Sequence, residues 1–166
     1  LVGSLTTLFE KGIIKILIGT KSLLGEGWDA PSINSLILAS LVGSFVTSNQ
    51  MRGRAIRIDQ NNTFKTALIW HLACIDVTLD TGGQDLEVLS KRFDAFLGID
   101  MVTNTISTGI ERLHIPSTIS ENDIETLNTG SKAMSKRRSD IFKAWSKAVA
   151  SGKGITKELS IIHKDK

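Results

Sequence analysis

Gln50, Arg54 and Arg57 are spaced i, i+4 and i+7. On a helix they project from one face, within roughly 60° of each other. Gly53 lies between them and lets another backbone or a phosphate come close. Two guanidiniums aimed the same way form a fork for phosphate oxygens. In phosphoryl transfer such a fork neutralises the charge that develops on the transferred group. The same spacing also suits a surface helix whose arginines pair with nearby carboxylates, and spacing alone does not choose between the two.

A second group precedes it. Gly25-Glu26-Gly27-Trp28-Asp29 follows the apolar run Ile13 to Ile18, the position of a ligand-touching loop at the carboxyl end of a parallel strand. Thr20, Lys21 and Ser22 can hydrogen-bond or pair with phosphate there, and Asp29 can accept from a ribose hydroxyl. Taken singly, these residues are equally explained by a tight turn with an Asp before Pro31. Other chemistry finds little support. His71, His114, His163 and Cys74 have no metal-ligand spacing, so no metal site is expected. No Gly-x-Ser-x-Gly elbow occurs. Trp28, Trp70 and Trp145 could stack on bases, but packing is the commoner use of tryptophan.

The elements that must hold these residues alternate. Leu5, Leu8 and Phe9 with Gly12 predict a short helix over Gly3 to Lys11. The β-branched run Ile13 to Ile18 predicts a strand buried on both faces. Gly19 to Pro31 reads as a turn and short helix, and Leu36 to Ala39 as a second strand. Residues 46–57 read as helix and Thr66 to Ile75 as a third strand. After a loop at Asp80 to Gly83, the period of Leu86, Leu89, Phe93, Phe96 and Leu97 predicts a helix over Gln84 to Leu97. This alternation predicts an α/β architecture with a mainly parallel sheet. Gly98 to Ser120 reads as an irregular connector. From Ser120 two packed helices broken near Thr129-Gly130 are expected, with Lys132, Lys136, Arg137, Arg138, Lys143 and Lys147 making one side basic. A solvated helix face accounts for that cluster, and the tail after Gly152 is expected to fray.

The totals set outer limits. With 166 residues, 41% hydrophobic and 22% charged, the chain suits one soluble globular domain, or a partial domain with an extension. A net charge of +3 permits a nucleic-acid partner without requiring one. Cys74 is the single cysteine, in an apolar run; it reads as core in a reducing compartment, which points to the cytoplasm. No stretch approaches the ~18 apolar residues of a membrane span, so no membrane association is expected. The chain begins with Leu inside a helical pattern and reads as a piece of a longer polypeptide.

Together the two groups carry a resemblance. Gly-Thr-Lys-Ser-Leu-Leu-Gly-Glu-Gly-Trp-Asp-Ala-Pro (19–31) resembles motif V of superfamily 2 helicases, and Gln-Met-Arg-Gly-Arg-Ala-Ile-Arg (50–57) resembles motif VI. The similarity is greatest to DEAD/DEAH-box helicases related to type III restriction subunits. Ile69-Trp70-His71-Leu72, residues 92–98 and Gly109-Ile110-Glu111-Arg112-Leu113 look like the region after motif VI there, so the likeness covers roughly residues 1–150. It implies a partial second RecA-like domain, a three-layer sandwich, over residues 1–80, then a helix and connector over 81–119 and a basic helical extension over 120–166. It further implies that Arg54 and Arg57 reach the ATP γ-phosphate across an interdomain cleft, Arg57 being the finger, with Gln50 positioning it. Gly27 and Asp29 would sit by the ribose, while Thr20, Lys21 or Ser22 would hold the backbone of DNA or RNA. Met51 and Ile56 depart from residues common in motif VI.

The chain has no Gly-x-x-x-x-Gly-Lys-Ser/Thr phosphate loop and no Asp-Glu pair for magnesium. In such helicases ATP and Mg2+ are bound mainly by the N-terminal RecA-like domain of the same polypeptide. The expected function is the C-terminal motor part of an ATP-dependent helicase or translocase, inactive as an ATPase alone. The competing expectation is a stand-alone nucleic-acid-binding module, using residues 132–147 and the 19–31 loop. A third is an inactive remnant serving as a protein-interaction scaffold.

Overall fold

A strand needs a neighbour for its backbone groups, and in residues 1–72 that neighbour runs parallel. The computed structural model describes residues 2–20, 28–39 and 45–152. The chain divides into two units, residues 1–72 and 73–166. In the first, helix α1 (Val2–Glu10) precedes strand β1 (Ser35–Leu38), helix α2 (Phe45–Ala55) and strand β2 (Leu68–His71). β1 and β2 pair in parallel, Ser35 opposite Leu68 through Leu38 opposite His71. Parallel neighbours require a crossover, and α2 provides it, touching both strands. Trp28, Ala30, Ile33 and Ala55 form the buried core, with Phe9, Leu17, Leu36, Ala67 and Ile69 packed round it.

Three expectations for this unit need correction. Residues 14–20 are not a strand: they pair with nothing in a sheet among the described residues, and Ile13, Ile16 and Ile18 are exposed, Ile18 at 90%. A β-branched run supplies propensity, but only a partner makes it a buried strand. α2 stops at Ala55, before Arg57. β2 ends at His71, so Cys74 lies outside the sheet and is exposed. Lys21, Ser22 and Gly27 lie outside the described residues.

The second unit is built on an antiparallel pair. Helix α3 (Gln84–Asp94) has Asp85 and Glu87 in its first turn and Lys91 and Arg92 in its last, charges that complement the helix dipole at both ends. Strands β3 (Leu97–Asp100) and β4 (Thr105–Thr108) form a hairpin with Ile99 opposite Ile106. The interval expected to be irregular thus holds this hairpin and a short helix, α4 (Gly109–Leu113). Thr108 and Glu111 close a capping box on α4. A Cβ on Gly109 would meet the Phe93 carbonyl oxygen at 2.8 Å, so only glycine allows α4 this approach to α3. Helix α5 (Glu121–Lys136) begins with a Ser120/Asp123 box and runs unbroken through Gly130. The expected break falls instead at a 3-10 turn, Arg138–Asp140, before helix α6 (Ile141–Ser151). Ala144 and Ala148 of α6 pack on Ile99 and Ile106, small side chains that bring helix and hairpin close.

The mixed helix and strand content with a small parallel sheet is compatible with the α/β class. One parallel pair stands where a mainly parallel sheet was expected, and the second pair is antiparallel.

Asp100 secures the hairpin. Its carboxylate accepts from the Val102 N–H at 2.8 Å and the Thr103 N–H at 3.4 Å, and lies 3.4 Å from His114 Nε2. Burial pushes its pKa up, but these N–H groups, the Thr103 hydroxyl and His114 together hold it below the usual carboxylate range. A depressed folded pKa stabilises above the unfolded value and is lost as pH falls through the folded one. The hairpin should therefore weaken as pH falls through and below the ordinary carboxylate range. Urea midpoints across that range should fall less steeply for Asp100→Asn than for the parent; equal slopes would refute the assignment.

Candidate functional site

The site grows from one buried indole. Trp28 is 7% exposed; its Nε1–H donates to Thr6 Oγ1 at 2.8 Å, and its ring meets Phe9 edge-on at 6.0 Å. It packs rather than offering a stacking platform. Burying such a ring gives about 1.5–3 kcal/mol, and the aromatic contact adds about 0.5–1.5 kcal/mol. With Trp28 and Ala30 both buried, Asp29 between them is exposed at the edge of the core. Ala55, fully buried in the same cluster, ends α2. The chain then turns, with the Arg57 N–H donating to the Arg54 carbonyl at 3.4 Å.

Two residues on, Arg57 meets Asp29: Nη1 and Oδ1 form an ion pair whose side chains are 46% and 55% exposed. The 19–31 segment and the 50–57 segment are thereby joined at their ends. The single-face arrangement of Gln50, Arg54 and Arg57 is corrected, because Arg57 lies beyond the helix. Gln50 and Arg54 share a helical face by their i, i+4 spacing; Gln50 is exposed and Arg54 half-buried. Thr20 is exposed. The pair alone does not hold these segments together. An ion pair this exposed contributes about 0–1 kcal/mol, less than the core beneath it.

Lys65 was not singled out from the sequence. Its Nζ donates to the Pro31 carbonyl and, at 2.9 Å, to the Arg57 carbonyl. It clamps the chain after Asp29 to the chain at Arg57 and satisfies one carbonyl just past the end of α2. Burial lowers its pKa, with Asp59 opposing. A lysine in the polar stretch 60–65 carries no signal of this role, since the two carbonyls lie 34 and 8 residues away. Among the described residues no group of three or more His, Cys, Asp or Glu is placed to hold a metal.

Two outcomes follow for stability. Lys65→Met removes two charge-assisted hydrogen bonds and should destabilise residues 1–72 by about 1–3 kcal/mol, read as a lower urea midpoint; an unchanged midpoint would refute the clamp. Gly53 sits in α2 with open space where a Cβ would stand. Gly53→Ala should therefore raise stability by about 0.5–1 kcal/mol, measured the same way. Comparison with family models, curated proteins and solved structures finds no match to this chain.

Proposed function

We propose that the chain is the carboxy-terminal motor part of an ATP-dependent helicase or translocase, with residues 1–72 as a partial second RecA-like domain. The observation that carries this reading is the Asp29–Arg57 ion pair. Two segments that resemble motifs V and VI are distant in sequence, yet their functional ends meet at an exposed edge. The parallel β1–α2–β2 unit beneath them is compatible with such a domain.

In the proposed mechanism ATP, with Mg2+, supplies the phosphoryl group and is bound mainly by a preceding RecA-like domain. A half-exposed guanidinium fits the triphosphate charge, and only a weak pair must be exchanged to release it. Arg57 leaves Asp29 and turns its fork to the γ-phosphate, where it offsets charge developing in the transition state. Arg54 adds a second cation, and Gln50 positions the finger. Asp29, released, becomes an acceptor for the ribose beside Gly27. Thr20, Lys21 and Ser22 hold the phosphates of a DNA or RNA strand, so opening and closing of the cleft is passed to that strand. Gly53, open on one side, leaves room for an approaching partner.

The test supplies the preceding domain. Arg57→Ala should then lower ATP turnover about 10³–10⁵-fold, while leaving stability within about 1 kcal/mol. Arg57→Lys should not restore the rate, because an ammonium lacks the planar fork. Unchanged turnover in Arg57→Ala would contradict the finger role, and magnesium-dependent turnover by the 166 residues alone would contradict the division of labour.

A further inference from the structure

The second unit holds a basic cleft that the proposed motor does not use. Residues 132–147 carry Lys132, Lys136, Arg137, Arg138, Lys143 and Lys147 against one carboxylate, Asp140: six minus one, or +5. The whole chain is +3, so everything outside this stretch sums to −2. Folding concentrates it further. The 3-10 turn between α5 and α6 brings Arg137 and Asp140 to the same cavity as Lys143 and Lys147, one helical turn apart on α6. The cavity is about 200 Å³ and is completed by Asn104 from the β3–β4 turn, with Ala144 at its base. Asn104 has a left-handed backbone, φ 55°, and its N–H donates to the Asp100 carbonyl at 2.8 Å. Its side chain lines the cavity, so its amide can donate there.

Three cations, one carboxylate and an amide make a net +2 lining. Asp140 offsets only part of it: its one ion pair here is a 3.4 Å contact with Arg137 Nε, both side chains about half exposed. Such a pair yields readily to a stronger anion. We infer that this cleft, formed by the β3–β4 turn, the 3-10 turn and the first two turns of α6, binds the phosphodiester backbone of a nucleic acid. A polyanion is favoured over a single phosphate because the charge does not stop at the cavity. Lys132 and Lys136, in the last turns of α5, and Arg138, in the 3-10 turn, add three more exposed cations on the elements that lead into it. The lining has no aromatic ring to stack on a base, so the contact is one of position and charge rather than of sequence. Phe142 and Trp145 of α6 are exposed, but their helical positions put them on the flank away from Lys143 and Lys147. The inference rests on the nucleic-acid half of the motor reading and needs neither ATP nor the preceding domain.

The experiment is fluorescence anisotropy of a labelled single-stranded oligonucleotide with the 166-residue chain, titrated at several chloride concentrations. Lys143→Glu/Lys147→Glu is compared with Lys11→Glu/Lys91→Glu, an equal change of net charge at exposed positions elsewhere. Circular dichroism melts establish that each variant folds. The cleft variant should bind at least about tenfold more weakly, and its plot of log K against log salt should be shallower by about 1.4, two contacts at about 0.7 each for a single strand. The control should keep the parent slope to within about half a contact. Equal losses in the two variants, or none in the cleft variant, overturn the inference and leave the ATPase reading standing. A parent chain that binds no oligonucleotide overturns it together with the nucleic-acid half of that reading. Displacement by inorganic phosphate beyond the effect of chloride at the same ionic strength identifies a single-anion site and overturns the assignment to a phosphodiester backbone.

Discussion

The first unit depends on the burial of Trp28. Its indole must leave water, and the ring that covers it, Phe9, and the hydroxyl that accepts its N–H, on Thr6, both belong to α1. Once the indole is fixed, Asp29 has no choice of place: its neighbours on either side point inward, so it lies at the rim. Ala55 enters the same core and brings the end of α2 to that rim. The geometry of Asp29 and Arg57 is therefore a by-product of apolar packing worth several kcal/mol. The ion pair itself contributes at most about 1 kcal/mol. In the proposed motor role this ordering matters, because a pair that held the fold together could not be given up to a ligand.

Lys65 belongs to the same logic from the other side. Arg57 has just left a helix, where carbonyls lose their intrahelical partners. A lysine reaching from the stretch before β2 bonds the Arg57 carbonyl, two residues past the helix, and ties it to Pro31. The backbone on both sides of the ion pair is thus held while the two charged side chains stay half exposed. Fixed backbone with exposed side chains is the arrangement a finger needs in the proposed motor role.

In the second unit the constraints are local and polar. Asp100 gathers the N–H groups of the turn it opens, Thr108 and Ser120 start helices with reciprocal capping bonds, and Gly109 permits a contact that a Cβ would block. The short 3-10 turn after α5 then decides which basic residues share a cleft. Arg137, Lys143 and Lys147 converge there, whereas on one continuous helix Arg137 would stand well round the surface from the two lysines.

Much of the layout was legible from residue order. α1, β1, α2, β2 and α3 each fall within a segment that apolar periods, glycines and polar clusters marked, though α2, β2 and α3 end earlier than those signals suggest, at Ala55, His71 and Asp94. Asp29 and Arg57 were both expected at a site, but the helical spacing invoked for Arg57 fails because α2 ends at Ala55. Elsewhere local signals fell short for definite reasons. The isoleucines of 13–18 have strand propensity, but strand formation requires a partner that no local pattern reports. Thr105-Ile106-Ser107-Thr108 carries β-branched residues, a signal too short to reveal a hairpin without knowing that Leu97 to Asp100 lies opposite. Gly130 suggests a break, yet the helix passes through it at a cost of only about 1 kcal/mol. What the sequence by itself determined is the inventory: a buried indole beside an acid, arginines at a helix end, and a basic stretch of residues 132–147. The tertiary structure decided that Arg57 leaves its helix to meet Asp29, that Lys65 clamps the two segments, and that three of the cations face one cleft. Those outcomes depend on contacts between residues far apart in the chain, and burial of the two cores selects them.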